Sequence, residues 1–223
     1  MKLFSEKRRH FPDPRLANRD GIVAIGDHLD TEILLEAYSF GIFPWPHEEY
    51  PLLWFSPDPR GVLDFADLKI PRSLAKKRKK QNLKVTTNRA FESVIRACAH
   101  SHRPGQDGTW IIEPMIRAYI EFHRAGYAHS VEAWIDDQLV GGVYGVYVAG
   151  VFSGESMFYT ESDASKICLL HIIDNLQSQG LSWMDIQMVT PNLEALGGKY
   201  IDREDYLDRV EECKRNAKPI VWK

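Results

Sequence analysis

Three polar side chains in the C-terminal half of the sequence could act together: Glu155, Asp185 and Gln187. Asp185 and Gln187 stand two apart in the apolar run Trp183-Met184-Asp185-Ile186-Gln187-Met188-Val189, so on a strand both project to one face. Left unpaired in a protein interior, each would cost about 1–3 kcal/mol. They are therefore either a satisfied structural pair, or a carboxylate orienting an amide that handles a substrate amine or ester oxygen. Glu155 lies between Gly154 and Ser156, where crowded backbone suggests a ligand. It either meets a lysine such as Lys166 or joins Asp185 in an acidic pocket suited to a cationic group. Phe152, Met157, Phe158, Ile172 and Leu176 offer apolar surface nearby, as core or as pocket wall.

Other chemistries find little support. Ser156 is flanked by Glu155 and Met157, not by the glycines of a nucleophile elbow. Cys168 falls inside a helical pattern, away from an N-terminus that would make it a low-pKa thiol. Cys98, Cys168 and Cys213 form neither a zinc pattern nor a disulfide framework, and His100 and His102 have no third ligand nearby. Walker loop, dinucleotide fingerprint and histidine–glutamate zinc helix are all missing. So is the acyl-CoA signature Gln/Arg-x-x-Gly-x-Gly/Ala, which argues against acyl-CoA as a donor.

The elements that must position these residues run from Gly141 to Thr190. Gly141 to Phe152 reads as two short buried strands joined by a turn. Ser162 or Asp163 then caps a helix whose apolar stripe is Leu169, Ile172, Ile173 and Leu176, with Asp174, Asn175 and Gln177 pointing away. Gly180 stops the helix and Trp183 to Val189 forms the next strand. Strand, crossover helix and parallel strand make a βαβ unit.

Earlier in the chain, residues 1–20 read as a polar arm, and Asp30-Thr31-Glu32 opens a helix ended by Gly41. Between Phe40 and Phe55 stand Phe40, Phe43, Trp45, Tyr50, Trp54 and Phe55, interleaved with prolines that forbid a regular helix or central strand. These rings form either a small loop-rich core or, with Trp45 foremost, a rim over a pocket. A strand begins at Val62, and Asn88 caps a helix carrying Phe91, Val94, Ile95 and Cys98. A further helix spans Pro114 to Gly126, Tyr127 to Ile135 alternates as a strand, and Asp136-Asp137 turns the chain. A short helix follows Pro191, and Asp202 caps a last amphipathic one. The order is α/β with a largely antiparallel first half, which suits an N-acyltransferase-like fold.

At 223 residues and 44% hydrophobic, with net charge −3, the chain has the composition of an ordinary globular protein. With no signal peptide and no apolar run long enough to span a bilayer, it reads as soluble and cytoplasmic. Within this acidic protein, Arg72, Lys76, Lys77, Arg78, Lys79, Lys80 and Lys84 form a basic run without an acid. Such a run is either a solvated face or a set of phosphate contacts to a nucleic acid.

Gly41-Ile42-Phe43-Pro44-Trp45, Trp54-Phe55-Ser56-Pro57-Asp58-Pro59-Arg60, Gly108-Thr109-Trp110-Ile111, Ala128-His129-Ser130-Val131-Glu132, Gly154-Glu155-Ser156-Met157-Phe158 and Ala164-Ser165-Lys166 resemble the bacterial leucyl/phenylalanyl-tRNA–protein transferase family in order and spacing. The resemblance implies a small N-terminal domain, residues 1–65, on a C-terminal acetyltransferase-like (GNAT-like) domain, residues 66–223. It implies a leucyltransferase of the N-end rule, acting without cofactor, ATP or metal. Leu or Phe would pass from aminoacyl-tRNA to proteins with N-terminal Arg or Lys, creating a protein-degradation signal. The preference among Leu, Phe and Met stays open. By the same resemblance Trp45, Trp110, Phe152, Glu155, Asp185 and Gln187 match substrate-site positions, Glu155, Asp185 and Gln187 being the catalytic ones. Met157 and Leu176 match the aminoacyl pocket, to which Ser156 and Ile172 are added as neighbours, and the basic run matches a tRNA-contacting face. This chain has Asp185-Ile186-Gln187 where the family often has Asp-Cys-Gln, and Asn192 where a histidine is common.

In this reading Glu155 positions an amine and Asp185 polarises Gln187, which helps remove the amine proton or steadies the tetrahedral intermediate. Two other classes compete: a small-molecule N-acyltransferase using acyl-CoA, and a non-catalytic tRNA-binding protein built on the basic run.

Overall fold

The computed structural model of the chain describes residues 10–26, 28–46, 51–79, 83–101 and 109–222. Residues 1–9 of the arm, and Tyr50, Lys80, His102 and Gly108, which belong to the patterns above, lie outside the described residues. Of the N-terminal arm, Phe11 is buried against Trp54, and Arg15 forms ion pairs with Glu204 and Asp208.

A small antiparallel sheet comes first, made of β1 (Ile22–Ile25), β2 (Phe43–Trp45) and β3 (Leu53–Phe55) in the order β1-β3-β2. Pro44 is tolerated because β2 is an edge strand. The proline-free Leu53–Phe55 forms the central strand, a correction to the expectation that the prolines exclude one here. Helix α1 (Thr31–Ser39) starts where the Asp30 carboxylate accepts the Ile33 N–H at 2.9 Å, and ends at Gly41, whose φ of 71° is left-handed. Its apolar face buries Ile33, Leu34, Ala37 and Tyr38.

The larger sheet has seven strands: β4 (Arg60–Asp64), β5 (Lys84–Thr87), β6 (Ala128–Ile135), β7 (Gln138–Val148), β8 (Val151–Tyr159), β9 (Trp183–Gln187) and β10 (Lys199–Ile201), in the order β10-β4-β9-β8-β7-β6-β5. All neighbours are antiparallel except β8 and β9, joined by α5 (Ala164–Ser178). The fold is mixed α/β with the βαβ crossover where the sequence predicts it. The two-residue hairpin turns Asp136-Asp137 and Ala149-Gly150 have positive φ at both positions, which Gly150 and the aspartates adopt readily and Ala149 takes against its own preference.

The two faces of this sheet bury separate cores. One contains α1, α3 (Phe91–His100), α4 (Glu113–Arg124), the rings of the small sheet, and Tyr144, Val146 and Phe158. The other contains α5, Leu74 of α2 (Arg72–Arg78), and Val131, Val143, Phe152, Met184 and Ile186. With both faces covered, every residue from Ala128 to Ala133 is buried, so β6 is not the half-exposed strand that alternation suggests.

Three capping expectations are corrected. Asn88 does not cap α3; its side chain accepts the Ser130 N–H at 3.0 Å, while Glu132 on β6 receives the N–H groups of Arg89 and Ala90. Asp163 stands at the cap position of α5 but in a left-handed conformation, its carboxylate paired with Lys77 at 2.8 Å and Lys166 at 3.4 Å. Asp202 precedes α7 (Arg203–Arg215) without a side-chain capping bond. Asn175, expected to face solvent, is buried and donates to the Val221 carbonyl, because the C-terminal segment packs over it.

Candidate active site

The parallel pair β8–β9 meets at a single register position, Ser153 opposite Asp185. Beyond it the strands part, and Gly154 to Met157 and Ile186 to Met188 line a cavity of about 550 Å³. Phe43, Trp45 and Trp110 contribute rings from one core, and Val143, Leu169 and Met184 contribute from the other. Thr190 and the start of α6 (Pro191–Ala195), including Asn192, complete the wall.

Glu155 is the charged group of this wall, and it is half-buried. Its Oε1 accepts a bond from Gln187 Nε2 at 2.8 Å and its Oε2 one from the Tyr119 hydroxyl at 3.3 Å. The Tyr119 hydroxyl is in turn hydrogen-bonded to that of Tyr38. Burial pushes the Glu155 carboxyl up to about 7, with the nearby Asp185 charge adding to the rise; bonds from Tyr38, Gln187 and Tyr119 oppose it. Among the described residues no cation pairs with it. Lys166, the lysine that the sequence offers as its alternative partner, is engaged by Asp163.

Asp185 occupies a different environment and does not line the cavity. It is fully buried and grips Arg60 by two bonds, 2.9 Å from Nε and 2.7 Å from the second guanidinium nitrogen. Ser153 Oγ at 3.0 Å and the Tyr206 hydroxyl at 3.1 Å complete its shell. Arg60 is itself buried, donates to the Gly41 carbonyl, and lies over the rings of Phe43 and Tyr206. Burial works against the Arg60 charge, but the Asp185 carboxylate more than offsets it, so the guanidinium is held protonated. The expected acidic pocket of Glu155 plus Asp185 is thus corrected to a single carboxylate without a cation beside a neutralised ion pair. Nor does Asp185 touch the Gln187 amide; its Oδ1 accepts the Gln187 backbone N–H at 2.9 Å. That bond sustains a left-handed backbone at Gln187, φ 59°, an uncommon state for a non-glycine residue.

Of the other residues singled out, Trp45, Trp110, Ser156 and Met157 line the cavity together with Glu155 and Gln187. Phe152, Ile172 and Leu176 do not; they are packed in the core behind, at most 1% exposed, and Trp222 lies against Phe152. Cys168 is buried and its thiol is pushed up by that burial, the opposite of an activated nucleophile. In the basic run, Lys77 pairs with Asp163 and Arg78 with Asp174, both contributed by the α5 region, while Arg72, Lys76, Lys79 and Lys84 are at least partly exposed. Among the described residues no three His, Cys, Asp or Glu side chains gather as metal ligands, and no helix is long and apolar enough to cross a membrane.

Tyr38, Tyr119 and Tyr206 join the site without having been given a role from the sequence, and Arg60, there only the last residue of a family motif, does too. A signal existed for Arg60, since an aspartate inside an apolar strand needs a cation and Arg60 opens another apolar run. Tyr119 stands on the apolar face Met115, Ile116, Tyr119, Phe122, where its hydroxyl needs a partner.

The chain is similar to known proteins over most of its length. Residues 62–211 match the family model described as leucyl/phenylalanyl-tRNA protein transferase, and residues 27–58 match that of its N-terminal domain. A leucyl/phenylalanyl-tRNA–protein transferase of Anaeromyxobacter dehalogenans is 48% identical over 200 residues, covering 90% of this chain and 86% of the relative. One from Hydrogenovibrio crunogenus is 46% identical over 216 residues, covering 95% and 84%. Among solved structures, L-PGS of Bacillus licheniformis aligns at 12% identity and TM-score 0.41, over 72% of this chain and 52% of that one. A GCN5-related N-acetyltransferase-like protein of Streptococcus suis aligns at 12% and 0.38, over 77% and 64%.

Proposed function

The chain belongs to the leucyl/phenylalanyl-tRNA–protein transferase family, and on that premise we propose which groups it joins and how. It is an aminoacyltransferase that moves an aminoacyl group from tRNA to protein. The finer reading is that Leu, and also Phe, passes to the α-amino group of proteins beginning with Arg or Lys, marking them for degradation in the cytoplasm. One observation carries it: the cavity combines apolar walls from both cores with one carboxylate, Glu155, that no cation among the described residues neutralises. Val143, Met157, Leu169 and Met184 suit an apolar side chain, since a charged one would lose its hydration there. Glu155 suits a cation, which fits a basic acceptor terminus.

The chemistry asked of the protein is modest. An aminoacyl-tRNA ester is already activated, so the site has to align an amine with the ester carbonyl and manage charge. Trp45 and Trp110 offer flat apolar faces for the terminal adenosine or the aminoacyl group, and Gln187 steadies the reacting centre by hydrogen bonding. The cations Arg72, Lys76, Lys79 and Lys84 contact tRNA phosphates.

The test is transfer of labelled Leu from Leu-tRNA to otherwise identical proteins starting with Arg, Lys or Ala. Label on the Arg and Lys proteins and not on the Ala protein is expected. Equal labelling of all three would discard the acceptor assignment. Transfer to none, with tRNA still bound, would favour a non-catalytic tRNA-binding protein.

A further inference from the structure

We infer that Glu155 takes the proton from the attacking amine, and that Tyr119 and Tyr38 are positioning residues that hold its carboxylate for that task. This rests on the aminoacyl transfer proposed above and names the base that the reaction needs.

Among the described residues, Glu155 is the one ionisable side chain on the cavity wall. Asp185 is absent from the wall, and both its oxygens are engaged by Arg60, with Ser153, Tyr206 and the Gln187 N–H completing the set. Gln187 is a primary amide, a poor base, and its Nε2 already donates to Glu155 at 2.8 Å. That bond orients the carboxylate and leaves the amide carbonyl for a substrate N–H. On the far side, the Tyr119 hydroxyl at 3.3 Å and the Tyr38 hydroxyl behind it anchor Oε2 from α4 and α1. The carboxylate is therefore held from three elements with one side toward the cavity.

The groups that face Glu155 are Tyr38 on α1, Tyr119 on α4, Asp185 and Gln187 on β9, with the Arg60 charge beyond Asp185. Their balance and burial place its carboxyl at about 7, close to the operating range in which a general base is most effective. The proton count closes. The neutral amine nitrogen attacks the ester carbonyl carbon and a C–N bond forms. The excess N–H proton passes to the Glu155 carboxylate. As the C–O bond to the tRNA ribose breaks, the same proton moves from Glu155 to the leaving oxygen. Amide and free ribose hydroxyl result, and Glu155 returns to its starting form.

The experiment is a single-turnover pH profile of Leu transfer at saturating acceptor peptide with an N-terminal Arg. For Glu155→Gln, a loss of about 10²–10⁴-fold is expected with Leu-tRNA affinity retained. For Tyr119→Phe, loss of a donor to the carboxylate moves the acid limb of the profile to higher pH, by roughly one unit. The acceptor amine titrates near 7.7–8.0 in every variant, so the difference from wild type isolates Glu155. Tyr38→Phe, expected to move the limb in the same direction, serves if Tyr119→Phe melts early. A Glu155→Gln protein that needs more acceptor but reaches the wild-type rate would reduce Glu155 to charge attraction. An unmoved acid limb, with rates scaled down alike at all pH values, would make the tyrosines merely structural. Wild type transferring no Leu at all would instead overturn the reaction, and this role with it.

Discussion

Asp185 accepts bonds from Arg60 Nε and its second guanidinium nitrogen, Ser153, Tyr206 and the backbone of Gln187, and every one of those contacts is shielded from water. Arg60→Met would leave that carboxylate buried and uncompensated, close to the Glu155 charge. The expected cost is about 3–5 kcal/mol, seen as a lower urea midpoint at unchanged slope. Full stability in this variant would mean that Arg60 is not what compensates the buried Asp185 charge. The sequence made Glu155 and Gln187 legible because a polar group set in an apolar strand announces a need. It could not show that the need of Asp185 is met by Arg60, 125 positions away. Spacing of two on a strand suggested that Asp185 acts on the Gln187 amide, but Asp185 accepts the Gln187 backbone N–H and the amide goes to Glu155.

At the scale of elements, β7 and β8 approach too closely for a side chain at Gly145. A Cβ there would lie 2.4 Å from the Ser153 carbonyl oxygen and 2.5 Å from the Phe152 ring. Gly145→Ala must therefore move backbone, at a cost of about 1–3 kcal/mol in thermal or urea unfolding. Because Ser153 is the residue from which β8 and β9 part, transfer should fall in the same variant; an unchanged melting curve would show that the strands yield freely. The strands from β6 to β9, the start of β4, and the crossover helix with its apolar stripe were readable from period and punctuation, whereas β1, β2, β3, β5 and β10, short strands among prolines, turns or charges, were not. Start signals were readable only where a cap is local, as at Asp30. Glu132 serves the start of α3 from a strand some forty residues on, and Asp163 is drawn off by Lys77, so neither outcome has a local trace. Ile172 and Leu176 have helical spacing whether a helix faces a core or a cavity, and the spacing does not distinguish the two.

Across the whole molecule, charge is sorted more finely than the sequence run suggests. The cations of the α2 region divide into those held by acids near α5, Lys77 and Arg78, and those turned toward solvent, Arg72, Lys76 and Lys79. Replacing Lys76 and Lys79 by Ala should weaken tRNA binding and flatten its log–log salt dependence by about 0.7–0.9 for each phosphate no longer neutralised. Lys77→Ala should change the slope less, because its charge is already matched by Asp163. Anisotropy titrations over a range of salt would check both, and an unchanged slope in the double variant would remove this face from the tRNA interface. Arg60 has a consequence at this scale too. Its guanidinium rests on the Gly41 carbonyl and the Phe43 ring, while Tyr38 reaches the hydroxyl that steadies Glu155. The small sheet and the large one are thus not interchangeable modules. A graft that swapped the N-terminal segment through β3 for that of a relative would inherit a working centre only if Tyr38, Gly41 and Phe43 came across as one block.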